Sequence, residues 1–105
     1  MATTQRPLLE LDIEAVLELW PERRDTWVFV AVPAQSHDAV TALFDAGPRG
    51  FRSVRALARI DDDEWSTGLF LYRDGRWTLP IRADVRRRHH LAVGDVVRVH
   101  VSLPA

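Results

Sequence analysis

Five consecutive basic residues near the C-terminal end are the side chains best suited to chemistry: Arg86, Arg87, Arg88, His89 and His90. Clustered arginines can neutralise the phosphates of a nucleic acid. The alternative is a helix C-terminus, where cations are stabilised by the helix dipole. We favour the helix end, because short basic runs are weak motifs. The nucleic-acid-binding candidates are therefore a second choice: Arg82, Arg86, Arg87 and Arg88.

Metal-binding patterns are weak in this sequence. The acidic run at positions 61–64 lacks the spaced ligands and the glycine of a calcium loop, so we interpret it as a solvated turn. The histidines at positions 37, 89, 90 and 100 do not have the spacing of a metal site. We expect no metal and no cofactor.

Catalytic motifs are also absent. No serine lies in a G-x-S-x-G elbow, and the five glycines are scattered at turns and do not form a phosphate loop. We therefore expect that the protein is not an enzyme. A hydrolase or isomerase using Asp84 or His100 beside a cleft is the third-ranked hypothesis, because catalytic residues need not form a motif.

Length and composition suit one small domain. The 105 residues are enough for a single core, and the net charge of −1 gives no strong attraction toward anions. Without cysteine there can be no disulfides, which fits a cytoplasmic protein. No apolar run is long enough to span a membrane, so no membrane partner is expected.

Hydrophobic patterning predicts mostly β structure with short helices. Two-residue alternation predicts strands at both ends of the chain, over Leu9–Leu19 and Val97–Leu103. The uniformly apolar run Thr26–Val32 predicts a strand that is covered on both faces. Helices are expected after an N-cap at Ser36 and over Ala83–His90.

The dipeptide Asp74-Gly75 predicts a tight hairpin with a two-residue loop. In that register Tyr72 lies opposite Trp77, and Phe70 lies opposite Leu79. Trp77, like Trp65, is assigned to the core, because aromatic side chains on strands are usually buried.

A weak internal repeat joins these elements. Each copy is an aromatic-led strand, a proline, a short helix, a glycine and a valine-rich strand; the copies begin at Trp27 and Trp77. Two interleaved copies could close a sheet without exposed edges. We predict one domain over residues 1–105, folded as a closed double-split β-barrel with pseudo-duplicated halves.

Several segments resemble a bacterial family, the domain of unknown function 1905. They are VAVP at 30–33, GFRSVRALARID at 50–61, EWSTGLF at 64–70, DGRWTLPIRADVR at 74–86 and LAVGDVVRVHV at 91–101. The resemblance extends from Leu9 to Leu103 and implies the double-split barrel, without any established activity. The segment LPIRADVRRRHHLAVGDVVRV at 79–99 also resembles half of the AbrB/MazE-type swapped-hairpin regulators, which bind DNA as dimers.

The preferred functional hypothesis is a small β-barrel binding module without catalytic activity, a monomer or weak homodimer. Its partner, a protein or a small ligand, binds one face of the barrel. The alternative is an AbrB-like nucleic-acid-binding protein that uses the cluster Arg82–Arg88. Nucleic acid ranks second because the chain already contains both halves of the barrel and does not need the dimer that those regulators form.

Overall fold

The structure is a computed structural model that describes residues 7–20, 27–46, 53–72 and 75–104. These residues form seven strands and two helices, so the predicted mostly-β class with short helices is confirmed. The elements are β1 (Leu9–Val16), β2 (Glu18–Leu19), β3 (Val28–Ala31), α1 (Ala34–Ala46), β4 (Ser53–Ile60), β5 (Asp63–Leu71), β6 (Trp77–Pro80), α2 (Ala83–Arg88) and β7 (Val96–Leu103).

The strands form one antiparallel sheet in the order β1-β7-β4-β5-β6-β3-β2. The first strands of the two predicted copies, β3 and β6, pair with each other, and so do their last strands, β4 and β7. An eight-pair ladder joins the two alternating ends of the chain, from Leu9 opposite Leu103 to Val16 opposite Val96.

The predicted closed barrel is wrong: the sheet is a curled half-barrel. Its first and last strands, β1 and β2, are separated in sequence by Leu17 alone. Leu17 donates its N–H to Asp95 O (2.8 Å) and accepts from Gly94 N (2.8 Å), so the predicted strand over 9–19 is interrupted there. β1 pairs along its length with β7, and β2 pairs with β3 through Glu18 and Leu19. Among the described residues no ladder joins β1 to β2, so the sheet stays open.

The predicted hairpin register is also wrong, by one residue. Leu71 lies opposite Trp77 and Phe70 opposite Thr78, while Tyr72 N donates to Arg76 O (2.8 Å). The loop therefore has three residues, and Gly75 adopts a φ of 90°, as in hairpins with a glycine bulge. Asp74, on which the prediction also rested, lies outside the described residues.

Alternation along each strand divides the sheet into two faces. The inner face carries the main core, including Leu69, Trp77, Leu79 and Val101. On the outer face, Phe29 of β3 is buried although it lies outside the main core cluster. The prediction that this strand is covered on both faces therefore agrees with the structure.

Two helices cover parts of the sheet. Helix α1 begins at Ala34, directly after Pro33, so the predicted N-cap at Ser36 is wrong. It packs through Phe44 against Trp77, with ring centroids 5.3 Å apart. Helix α2 ends at Arg88, before the predicted end, and buries Val85. In the described parts of the chain, no helix has the length and apolarity needed to cross a membrane.

Candidate functional site

The predicted arginine cluster lies on and beside α2, and acidic side chains neutralise part of it. Arg82 pairs with Asp84 (Nε to Oδ1, 3.1 Å), and Arg88 pairs with both Asp84 (3.2 Å) and Asp63 (2.7 Å). Hydrogen bonds from Arg88 and His89 lower the pKa of Asp63, and the hydrogen bonds of Arg88 to Asp63 and Asp84 raise the pKa of Arg88. Two of the four candidates thus hold the protein's own carboxylates.

The other two arginines differ from each other. Arg86 is half-buried and donates through Nε to the carbonyl oxygen of Ile81 (3.0 Å), so it fixes the beginning of α2. Arg87 is exposed, and no ion pair to it occurs among the described residues. Of the four, Arg87 is the guanidinium that is fully available to an external anion.

The acidic run at 61–64 is not simply the solvated turn that we expected. Only Asp61 and Asp62 form the turn between β4 and β5, while the next two residues belong to β5. Asp63 accepts hydrogen bonds from Arg88 and, at 3.0 Å, from His89. This acid therefore ties α2 to the sheet. Among the described residues no group of acidic or histidine side chains is arranged to hold a metal ion.

A cleft of about 630 Å³ opens between the end of α1 and strands β4, β5 and β6; we call it the first cleft. Its walls are mainly apolar, and it has the volume typical of small-molecule sites. Its lining includes Trp27, Phe44, Gly68, Phe70, Arg55 and Arg82. Phe70 remains 38% exposed although it is a large apolar residue.

Arg55 gives this cleft its charge. It projects from β4 on the outer face, opposite Gly68 on β5, and is exposed. Neither a hydrogen bond nor an ion pair joins Arg55 to the described part of the chain, whereas Arg82 on the same cleft pairs with Asp84. Gly68 has no side chain, so no side chain stands on the sheet between Arg55 and the Phe70 ring. A Cβ at this position would lie 3.4 Å from that ring.

A second cleft of about 300 Å³ adjoins the first. Its lining is largely aromatic: Trp20, Trp27, Phe70, Leu71, Tyr72 and Thr78. Trp27 and Phe70 belong to both clefts, and their rings meet edge-to-face with centroids 5.9 Å apart. Trp20 packs edge-to-face on Phe29, with ring centroids 4.7 Å apart, and lies beside Tyr72. The rings of Trp20 and Tyr72 form part of the aromatic wall of the second cleft.

Comparison with known families identifies the chain. The model of the family described as Domain of unknown function (DUF1905) matches residues 14–101. The chain belongs to the DUF1905 family. This agrees with the resemblance seen in the sequence, although the family match does not extend to the AbrB-like regulators. No curated protein matches this DUF1905 chain.

The third-ranked site, His100, lies in a separate groove of the DUF1905 domain, on the outer faces of β1, β4 and β7. Its imidazole lies between Asp12 (2.8 Å from Nδ1) and Glu10 (3.2 Å from Nε2). Arg98 and Glu14 form a further ion pair in the groove, with 3.3 Å between nitrogen and oxygen. The structure does not bring the other candidate, Asp84, into this groove.

The first cleft is the feature that the sequence analysis missed. Trp65 and Trp77 were assigned to the core, and both are buried. The half-buried tryptophans are instead Trp20 and Trp27, which directly follow β2 and precede β3. A signal was present: a strand that is apolar on both faces provides a second apolar surface besides the core.

Proposed function

We propose that this protein is a binding module whose first cleft takes a small organic anion with an apolar body. The observation that carries the proposal is the position of Arg55, an exposed guanidinium without an ion pair to the described residues, on the rim of an apolar cleft. A guanidinium binds carboxylate and phosphate oxygens through a planar fork of N–H donors. The apolar walls would cover the rest of the ligand.

The charge of the cleft favours a ligand with a single anionic group. Arg82 also reaches the rim, but its charge is already balanced by Asp84 at 3.1 Å. Within the described part of the chain Arg55 therefore supplies the unbalanced charge, and the aromatic rings of Trp27, Phe44 and Phe70 supply the apolar contact. This arrangement supports binding more than catalysis, so we propose that the protein is not an enzyme.

Calorimetric titration with octanoate and with 1-octanol tests the proposal, because the two probes share a chain and differ in charge. We expect octanoate to bind more tightly. Arg55→Gln should weaken octanoate binding roughly tenfold, as expected for the loss of a hydrogen bond to a charged group, and change octanol binding little. Phe70→Ala should weaken both probes.

Arg98→Gln is the matched control. Arg98 is also an exposed arginine on a strand, but it lies in the other groove and pairs with Glu14. Its substitution should leave octanoate affinity unchanged. Equal losses in Arg55→Gln and Arg98→Gln, or no binding of octanoate to the wild-type protein, would refute the proposed site.

Nucleic-acid binding by Arg82, Arg86, Arg87 and Arg88 is the second candidate function. It is favoured by the exposure of Arg87, which has no ion pair among the described residues. Fluorescence anisotropy with duplex DNA at low salt would measure it. If Arg87 contacts a phosphate, Arg87→Gln should reduce the slope of log affinity against log salt by about 0.9. Absence of binding at low salt would exclude this function.

The proposed assembly and location follow from the same features. We propose a monomer or weak homodimer, since one chain supplies both strand–helix–strand units of the sheet. We propose a cytoplasmic location because the sequence has no cysteine. Light scattering at increasing protein concentration would measure the mass against the 12.0 kDa of one chain.

A further inference from the structure

The two clefts adjoin and form a continuous surface. They share Trp27 and Phe70, and the second cleft continues from this pair to Trp20 and Tyr72. Arg55 lines the first cleft and is absent from the lining of the second. The combined surface therefore carries the guanidinium of Arg55 at one end and a largely aromatic lining at the other.

We infer that the natural ligand is an anionic amphiphile with one unbranched apolar chain, which occupies both clefts. Resting on the proposed function of the first cleft, this inference names the class of ligand. The head group binds Arg55, and the chain passes the Trp27–Phe70 pair and ends against Trp20 and Tyr72. A compact ligand would occupy the first cleft and leave the aromatic lining of the second without a contact.

The aromatic contacts of the second cleft support a chain as its occupant. Trp20 is already packed edge-to-face on Phe29, with ring centroids 4.7 Å apart, so its ring is held by a neighbour before any ligand arrives. Phe29 is 1% exposed, and Arg76 lies over its ring with the guanidinium carbon 5.7 Å from the centroid. Fixed rings of this kind give an alkyl chain apolar contact at little cost in side-chain entropy.

A chain-length series tests the inference. Octanoate, decanoate, dodecanoate and tetradecanoate are titrated by calorimetry below their micellar concentrations. Beyond the length that fills the first cleft, each further methylene should raise the affinity by up to about fourfold. Constant affinity from octanoate to tetradecanoate would overturn the inference and leave the first-cleft proposal intact, whereas no binding of any member would overturn both.

Variants of the second cleft separate the two parts of the site. Trp20→Ala should leave octanoate affinity within about twofold of wild type and weaken tetradecanoate at least tenfold. Tetradecanoate has six methylenes more than octanoate, and losing the burial of even two of them would cost more than tenfold in affinity. Tyr72→Ala should have the same effect. It replaces Trp20→Ala in the test if circular dichroism shows that Trp20→Ala is unfolded. Equal losses for the short and the long probe would contradict the two-cleft assignment.

A membrane surface presents the same chemistry and must be distinguished from a single amphiphile. Co-sedimentation with phosphatidylglycerol vesicles provides that arm of the experiment. We expect the dissolved carboxylates to bind and the vesicles to retain little protein. Retention on vesicles without binding of any dissolved carboxylate would overturn the inference.

Discussion

Two buried indoles differ in whether their N–H finds an acceptor. Trp77 Nε1 donates to Thr41 Oγ1 at 3.0 Å and so links β6 to α1. Trp65 Nε1 is buried, yet it has no acceptor among the residues that the structure describes. A buried donor without a partner costs free energy that a satisfied one does not.

Substitution of each tryptophan by phenylalanine should therefore have unequal effects. Both variants lose similar ring volume, but Trp77→Phe also loses a hydrogen bond, whereas Trp65→Phe removes an unsatisfied donor. We expect Trp77→Phe to lower the free energy of unfolding by about 1–2 kcal/mol more than Trp65→Phe. Urea unfolding followed by circular dichroism measures both. An equal or larger loss for Trp65→Phe would contradict this description of the core.

His100 is held between two carboxylates on the neighbouring strand. Its hydrogen bond to Asp12 raises its pKa above the ordinary 6.5, partial burial opposes the rise, and the hydrogen bond to Glu10 adds to it. Both ring nitrogens lie within hydrogen-bond distance of carboxylate oxygens. The protonated ring can donate to both at once, which the neutral ring cannot do.

The stability of the fold should depend on pH through this group. Because the pKa is raised in the folded state, the stabilisation is fully present below pH 6.5 and is lost as the pH rises through the folded-state pKa. Urea midpoints measured from below pH 6 to above pH 8 should fall more in the wild-type protein than in His100→Gln. Asp12→Asn should also reduce the dependence. Parallel pH profiles for all three proteins would rule out this role.

At the scale of elements, the turn before β7 holds the junction between the two edge strands, β1 and β2, through backbone hydrogen bonds. Gly94 has a φ of 97°, and its N–H and the carbonyl oxygen of Asp95 bond the backbone of Leu17 between β1 and β2. Asp95 also accepts from Ala92 N at 2.8 Å. A Cβ at position 94 would meet no atom within 4 Å, so steric contact does not explain the glycine. The backbone conformation does.

Gly94→Ala should therefore destabilise the fold by about 1–2 kcal/mol through backbone strain alone. Gly94→Asn should cost less, because asparagine tolerates positive φ better than alanine. Thermal or urea unfolding of the two variants provides the comparison. If alanine were tolerated as well as glycine, the turn would not have the conformation described here.

Elements with one apolar face were predictable, whereas their pairing was only partly so. The alternation in Leu9–Leu19 and Val97–Leu103 identified strands because a half-buried strand repeats every two residues. The hairpin register was wrong because Asp-Gly fits loops of two and of three residues, and a one-residue slip moves every side chain to the other face. Hence Phe70, which the sequence paired with the core residue Leu79, lies on the outer face beside Trp27.

At the scale of the whole molecule, closure of the sheet was not predictable from pattern. The repeat predicted two interlocking strand–helix–strand units, and equivalent strands of the two units do lie side by side. Closure depends on how far each ladder extends, which the repeat does not encode. The sequence indicated a second apolar surface at β3 but not the first cleft itself, because Arg55, Phe44 and Trp27 come from separate segments that only the folded sheet brings together.

The central claim is that the first cleft of this half-barrel binds an anionic apolar ligand at Arg55. Amide and side-chain NMR of the 15N-labelled protein during titration with octanoate tests it most directly. We predict saturable shifts at Arg55, Gly68, Phe70 and the Trp27 indole, with little change at Arg87 or His100. Shifts confined to residues 82–90, or none at saturating octanoate, would contradict the claim.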